Sequence, residues 1–386
     1  MKFNLPNSAR ITVASLLISP LVGKGENQDK LPSDEPAAKV QIALLLDTSS
    51  SMDGLIDQAK TQLWKVVNTF NDAKRDGKVP FVEVALYEYG NNDLHVGNNW
   101  IRQVEPLTRD LDEISRELFA FKTNGGDEYC GAVVQRALSD LSWDPSPHTY
   151  KVIFIAGNEP FTQGPVDARQ ACRDAIGKGI VVNTIHCGDR SAGIAGSWHD
   201  GPALAGGKFL AIDQDKAVVH VEAPQDKEIT DLGLELNKTY LGYGKNWRSS
   251  SVKQKEADDV AVARKKSGAA AQRSLTKASL NYCNSSWDLV DACREGTVKL
   301  TELDAADLPE DMQKMTLAER EAHVATMTAK RAEIQQKIKE LGRQREEFVA
   351  ESQKKAAEEA GEKTLDQAIA STVKDQASER GYKFSK

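Results

Sequence analysis

The chain has 386 residues, of which 40% are hydrophobic and 28% charged, and its formal net charge is −7. This is enough apolar material for one core of roughly 150–250 residues with further chain beyond it. The chain is acidic and has no basic stripe interleaved with aromatic residues, so nucleic acid is not an expected partner, and no run of about 18 apolar residues predicts a transmembrane segment.

Residues 1–38 have the pattern of an export signal followed by a linker. Lys2 and Arg10 precede a short apolar stretch at residues 11–23, and a basic start with such a stretch is typical of export signals. Residues 24–38 are polar and contain two prolines, which is typical of a linker. We therefore expect an exported protein, periplasmic or extracellular. The alternative is a disordered tail on a cytoplasmic protein.

Residues 39–245 alternate between strand-like and helix-like segments. Residues 39–46 form a nearly unbroken apolar run, which is typical of a strand buried on both faces of a parallel sheet. Residues 52–70 follow with apolar side chains at helical spacing. Further strands are predicted at 81–89, 100–104, 150–155, 180–185 and 208–212, and further helices at 110–121, 128–141, 165–176, 203–207 and 228–241. This alternation predicts an α/β fold with a doubly wound, mostly parallel sheet.

The rest of the chain has a different pattern. Residues 246–280 are rich in small and charged residues without an apolar face, so a linker is predicted there. Residues 281–386 are predicted to be helical. A seven-residue apolar spacing, interrupted by arginines, predicts a coiled coil at 316–350. The alternative is a long helix folded back onto the domain or onto a partner helix. The apolar stripe consists of Val324, Met327, Ile334, Ile338, Leu341 and Phe348.

Asp47, Ser49 and Ser51 follow the first predicted strand at alternate positions. A doubly wound sheet binds ligands at the carboxyl ends of its strands, where these three side chains are expected to lie. Carboxylate and hydroxyl oxygens suit magnesium, calcium or manganese. Because so few protein carboxylates leave such an ion incompletely coordinated, a partner could add an oxygen ligand of its own. The alternative is a helix N-cap, in which the same side chains accept hydrogen bonds from free backbone N–H groups.

These features together resemble a von Willebrand factor type A (VWA) domain over roughly residues 39–240. The resemblance rests on residues 44–52, on the order of elements, and on residues 205–212. It implies a metal-ion-dependent adhesion site formed by three loops: D-x-S-x-S, a threonine in a second loop, and an aspartate after the fourth core strand. The chain after residue 280 resembles a bacterial subgroup of exported proteins that carry this domain.

The second and third loops depart from the family pattern. In the second loop the threonine is absent, and Glu128, or else Asp127, stands in its place. In the third loop Gly157 aligns with the missing aspartate, and Asn158 or Glu159 could donate an oxygen instead. We expect either a rewired cation site or a docking surface that has lost its metal. The predicted metal ligands are Asp47, Ser49, Ser51, Asp127, Glu128 and Asn158.

The motifs of common hydrolases are absent from the sequence. Neither H-E-x-x-H nor G-x-S-x-G occurs, so no enzymatic role is expected. The sequence predicts a metal-assisted protein-binding module, for adhesion or assembly, with a degenerate metal-ion-dependent adhesion site and a protein partner that offers a carboxylate to the metal. One alternative is a cytosolic assembly factor that docks onto an ATPase or another large complex, with or without metal. Another is that the long helix does the binding and the domain caps it.

Overall fold

The computed structural model describes residues 38–212, 221–263, 268–360 and 365–384, with only the backbone described at 353–360 and 365–367. The predicted export signal lies outside the described residues, as does its linker apart from residue 38. Within the described ranges, no helix combines the length and apolar character that crossing a membrane requires.

A six-stranded sheet forms the centre of the α/β domain. The described strands are β1 (Lys39–Asp47), β2 (Lys74–Arg75), β3 (Phe81–Tyr89), β4 (Ile101–Thr108), β5 (Tyr150–Gly157), β6 (Ile180–Cys187), β7 (Phe209–Ile212) and β8 (Tyr382–Lys383). The main sheet has the order β4-β3-β1-β5-β6-β7, and β2 pairs with β8 separately. Neighbours in the main sheet are parallel except β3 and β4. The predicted doubly wound, mostly parallel sheet is therefore confirmed.

Helices cover both faces of this sheet. The described helices are α1 (Ile56–Asn68), α2 (Leu111–Ala120), α3 (Cys130–Asp140), α4 (Ala168–Gly177), α5 (Arg190–Ala195), α6 (Asp200–Ala205), α7 (Asp226–Leu236), α8 (Trp247–Ala263), α9 (Ala269–Lys277), α10 (Leu289–Glu295), α11 (Glu310–Gln313), α12 (Leu317–Ala360) and α13 (Leu365–Ser378). Side chains of α1, α2 and α13 share one core with Val40, Ile42 and Leu44 of β1. Side chains of α3, α4 and α6 share the other core with Ala43 and Leu45. Alternate residues of β1 thus face opposite layers, as a doubly buried strand requires.

The last described helix, α13, packs against the main sheet. Ile369, Val373 and Ala377 of α13 are buried in the core that α1 and α2 also line. The carboxamide of Gln376 accepts a hydrogen bond from the Tyr150 hydroxyl at 2.7 Å. The boundary predicted at residue 245 therefore leaves out a helix that packs directly on the sheet.

Residues 246–280 are not a linker, because α8 and α9 occupy most of this range. The guanidinium of Arg273 in α9 donates to Asp112 of α2 at 2.7 Å and to Asp258 of α8 at 2.5 Å. These three side chains are at most 6% exposed. Paired charges and small buried residues, rather than a stripe of large apolar side chains, hold these helices, so the sequence pattern showed no core face.

The structure supports the folded-back alternative for α12 over the predicted coiled coil at 316–350. Ile334 and Ile338 pack with residues of α7 and α9 in a separate small core. Arg331, one of the arginines that interrupt the stripe, donates to Asp288 at 2.6 Å and lies 4.1 Å from the ring centre of Tyr240. Within the described residues, five of the six stripe residues thus pack against other parts of this chain, and Phe348 is exposed.

Candidate functional site at the carboxyl end of β1

The strand order reverses at β1, which lies between β3 and β5. Asp47, its last residue, pairs with Tyr89 of β3, and the preceding Leu46 pairs with Ala156 of β5. The loops that follow these three strands therefore meet at one rim, which is where doubly wound sheets bind ligands. We name these segments loop 1 (48–54), the hairpin loop (90–100) and loop 3 (158–164). Loop 2 (122–129) precedes α3 and reaches the same rim.

Loop 1 holds a buried carboxylate and two hydroxyls. Asp47 is fully buried, and its Oδ1 accepts the backbone N–H of Ser49 at 2.8 Å. Its Oδ2 is also buried, and no group among the described residues donates a hydrogen bond to it. Burial raises the pKa of Asp47 to about 7, and the nearby Glu128 adds to the rise. The hydroxyls of Ser49 and Ser51 lie 2.7 Å apart. The first loop thus carries the predicted oxygen groups side by side.

Loop 2 contributes Glu128, which is only 7% exposed. A Cβ added to Gly90 would lie 2.8 Å from both Asp47 Oδ1 and Glu128 Cγ, so the two acidic side chains converge on this glycine. Burial raises the pKa of Glu128 and the charge of Glu159 adds to this, while Gln163 donates to its carboxylate at 3.1 Å. The sequence left Glu128 and Asp127 as alternatives, and the geometry favours Glu128.

Asp127 lies apart from this cluster. It is exposed, and its carboxylate accepts a hydrogen bond from the Tyr129 hydroxyl at 3.4 Å. Within the part of the chain that the structure describes, no hydrogen bond joins it to Asp47 or to the loop 1 serines. Its inclusion among the expected ligands thus has no support in these contacts.

Loop 3 contributes Asn158. Its Oδ1 accepts a hydrogen bond from the Ser51 hydroxyl at 2.9 Å, and its Nδ2 donates to the Ser51 carbonyl at 3.0 Å. A Cβ at Gly157 would lie 2.5 Å from the Tyr89 hydroxyl and 3.0 Å from Asp47 Oδ2. A side chain at position 157 would therefore meet the Tyr89 hydroxyl and Asp47, and Asn158 is the residue of this loop whose side-chain oxygen reaches loop 1.

The hairpin loop was missed by the sequence analysis. Asn91 donates from Nδ2 to the Thr48 carbonyl at 3.3 Å and to the Lys122 carbonyl at 3.0 Å, which ties loop 1 to loop 2. The Thr48 hydroxyl donates to Glu88 at 2.9 Å, and Arg102 donates to the other oxygen of Glu88 at 2.6 Å. The sequence offered a way to predict this contribution, because the polar segment after β3 begins at the same edge of the sheet as the polar segment after β1.

Comparisons with known proteins found distant structural similarities and no match in sequence. No family model and no curated protein matches the sequence. Similar solved structures include proximal thread matrix protein 1 of the mussel byssus, described with a zinc-occupied MIDAS motif (15% identity, 47% of this chain and 43% of that chain, TM-score 0.34). BatB from Bacteroides thetaiotaomicron is also similar, with 15% identity over 58% of this chain and 99% of that chain and a TM-score of 0.35. A von Willebrand factor type A protein from Catenulispora acidiphila has 16% identity over 46% of this chain and 40% of that chain and a TM-score of 0.34.

The solved structures found in this comparison are distant from this chain. At 15–16% identity and TM-scores of 0.34–0.35, these similarities indicate nothing further about the fold, the ligands or the partners of this chain. The chain also spans less than half the length of the mussel and Catenulispora proteins. The role of this rim therefore depends on the chain's own residues.

The residues at this rim fit a hard divalent cation. Asp47 Oδ2 is a buried carboxylate oxygen without a hydrogen-bond donor, and the neighbouring donors are hydroxyl, amide and carboxylate oxygens. Such a set suits magnesium, calcium or manganese better than zinc, which favours nitrogen and sulfur. Among the described residues there is no cluster of three or more Asp, Glu, His or Cys side chains suited to a metal. The candidate set has two carboxylates, and its other donors are uncharged.

Proposed function

We propose that the chain is a protein-binding module whose VWA-like domain holds magnesium, calcium or manganese at the rim and uses it to engage a partner protein. The observation that carries this proposal is the unpartnered, fully buried Oδ2 of Asp47. A buried carboxylate oxygen that no donor satisfies is costly to ionise, and a bound cation would offset this cost.

Each proposed ligand has a role that follows from its place. Asp47 and Glu128 supply the negative charge, while Ser49, Ser51 and Asn158 supply neutral oxygens. When bound, the cation supplies a positive charge at the rim that attracts an oxygen donor from outside. The exposed Ser51 lies at the solvent side of this set, where a partner has access.

The chemistry of the rim supports binding rather than catalysis. Two thiols lie in this region, Cys130 at the start of α3 and Cys187 at the end of β6. Each is 1% exposed, and burial raises the pKa of both thiols well above the usual range. A thiol that stays protonated is a poor nucleophile.

The proposal is tested by titrating the protein with magnesium, calcium and manganese in a calorimeter, with zinc as a comparison ion. We expect one cation per chain, loss of binding in Asp47→Asn, and unchanged binding in Asp76→Asn. Asp76 is a matched control because it is exposed and lies in the turn after β2, away from the rim. Absence of heat with all of these ions on folded protein would rule out the metal and favour metal-free docking, as in the assembly-factor alternative.

The compartment and the partner need a separate experiment. We propose an exported location, as residues 1–38 predict, and cell fractionation tests it. Capture of partner proteins from the same fraction, with and without a chelator, then tests whether partner binding needs the cation. Recovery of intact protein from the cytosol would favour the assembly-factor alternative.

A further inference from the structure

Asn91 is a buried residue of the hairpin loop that is not among the proposed cation ligands. It is 4% exposed, and its Oδ1 accepts the backbone N–H of Asp93 at 3.0 Å. Its Nδ2 donates to the Lys122 carbonyl of loop 2 at 3.0 Å and to the Thr48 carbonyl of loop 1 at 3.3 Å. Both ends of this amide are therefore bonded within the protein, and its donor bonds join two of the loops that carry proposed ligands.

Thr48 is the residue through which Asn91 acts on Asp47, because it follows Asp47 directly in the chain. It is fully buried, and its carbonyl also accepts the Asn124 N–H of loop 2 at 3.0 Å. Its hydroxyl donates to Glu88 at 2.9 Å. Loop 1 is thus fixed against loop 2 and against β3 at the residue next to the Asp47 carboxylate.

Loop 2 runs close against the hairpin loop before it reaches Glu128. A Cβ added to Gly126 would lie 2.4 Å from the Gly90 carbonyl oxygen, so this approach leaves space only for a glycine. The hydrogen bonds from Asn91 and to Thr48 hold residues 122 and 124 of the same loop. Together these contacts fix the part of loop 2 that leads to Glu128.

We propose, resting on the function proposed above, that Asn91 is a positioning residue of the cation site. Its two donor bonds hold loop 1 and loop 2 at the separation at which the side chains of Asp47 and Glu128 converge on Gly90. Groups that orient metal ligands without touching the metal contribute strongly to affinity. Without this tie, cation binding would have to order the two loops, and the lost conformational entropy would weaken it.

Calorimetric titration of the full chain with manganese tests this role. We expect Asn91→Ala to weaken manganese binding at least about tenfold. Asn98→Ala is the matched control, because Asn98 is an exposed residue of the same loop, and we expect it to change the affinity by less than about twofold. Near-ultraviolet circular dichroism of each variant ensures that the affinities compared are those of folded protein.

Asn91→Asp separates positioning from charge. An aspartate has nearly the same shape and still accepts the Asp93 N–H, but its carboxylate cannot donate to the Thr48 and Lys122 carbonyls. The added negative charge alone would tighten the binding of a cation. We expect manganese binding at pH 8 to be at least about fivefold weaker, which a purely electrostatic role of residue 91 would not produce.

Hydrogen exchange of the cation-free protein examines the tie without the metal. The Asn124 N–H, which donates to the Thr48 carbonyl, should exchange at least about tenfold faster in Asn91→Ala than in Asn98→Ala. The amides of β5 should exchange equally in both variants, because the loosening is confined to the loops.

The outcomes distinguish this inference from the function on which it rests. Failure of the unchanged chain to bind manganese would overturn the proposed function and this inference with it. Manganese binding that is unaltered in Asn91→Ala, or tighter in Asn91→Asp, would overturn this inference alone. Unaltered exchange of the Asn124 N–H in Asn91→Ala would also overturn it.

Discussion

Burial of Asp47 should make the stability of the fold depend on pH. Its pKa is about 7 in the folded chain against 3.8 for an exposed aspartate, so the folded protein keeps a proton that the unfolded chain has already lost. A raised pKa of this kind lowers the free energy of unfolding as pH rises from about 4 to about 7, with no further loss above. The proposed cation site therefore reduces stability in the cation-free protein.

Asp47→Asn should stabilise the cation-free protein at pH 8. The asparagine Oδ1 still accepts the Ser49 N–H, and the cost of ionising a buried carboxylate disappears. We expect the free energy of unfolding to rise by about 2–4 kcal/mol at pH 8, with a smaller gain at pH 5. Urea unfolding at both values measures this. A variant that is less stable at pH 8, or equally changed at both values, would contradict the assigned pKa.

Glu128→Gln and Asp127→Asn form a matched pair on adjacent residues. Glu128 shares the buried cluster with Asp47, whereas Asp127 is exposed beside Tyr129. We expect the first change to weaken cation binding at least about tenfold, since it removes one of two charges, and the second to weaken it less than about threefold through screened surface charge. Calorimetric titration of both variants measures this, and the reverse order of effects would assign the ligand to Asp127.

The sequence predicted the loop 1 residues because they lie within five positions of each other after a recognisable strand. The sequence did not decide whether Glu128 or Asp127 is the ligand of loop 2. Neighbouring residues in a loop point in different directions, and sequence periodicity does not reveal which of them faces the site. It could not predict Tyr89 below Gly157, because these residues are 68 positions apart in the sequence and meet only across β1. Site residues that are close together in the sequence were therefore predictable, and close contacts between residues of different strands were not.

At the level of elements, α9 depends on buried charges. Arg273 bridges Asp112 and Asp258, and all three are nearly inaccessible to water. Arg273→Met would leave two carboxylates buried without this partner, and we expect a loss of about 3–5 kcal/mol in the free energy of unfolding. Arg343→Met is the control, because Arg343 forms exposed pairs with Glu340 and Glu347, and we expect a change below about 1 kcal/mol.

Urea unfolding of both arginine variants provides the measurement. Equal, small effects would mean that the α8–α9 layer contributes little to the stability of the domain, as the predicted linker would. The sequence analysis predicted a linker instead of α8 and α9 for a physical reason. A helix that packs through alanines and paired charges has no stripe of large apolar residues, and hydrophobic periodicity is the signal on which the prediction depends.

At the level of the whole molecule, helices α7 to α12 lie between β7 and the helix that completes the α1–α2 layer. β7 ends at Ile212 and α13 begins at Leu365, yet both contribute to one core. The alternation of strands and helices predicted the sheet and its first layers. It could not predict that the helix that completes this layer begins some 150 residues after β7. The contacts that join α13 to the sheet, such as the hydrogen bonds between Gln376 and Asn183, connect residues far apart in the sequence and leave no periodic pattern.

A chain that ends at residue 364 should therefore be less stable than the full-length protein. Removing α13 uncovers the sheet face that Ile369, Val373 and Ala377 cover, and it leaves Tyr150 and Asn183 without the amide of Gln376. Lost burial of several apolar side chains costs about 2–5 kcal/mol for each large one. We expect the thermal midpoint to fall by at least about 10 °C or the cooperative transition to disappear.

A chain that ends at residue 384 is the control, and it should unfold like the full-length protein because it keeps Tyr382, whose hydroxyl donates to the Lys39 carbonyl at 2.5 Å. Near-ultraviolet circular dichroism during heating measures both truncations. If the chain ending at 364 unfolded at the unchanged temperature, α13 would contribute little to the stability of the domain core. If its transition returns when a peptide spanning 365–384 is added, the lost stability belongs to the contacts of that segment with the sheet.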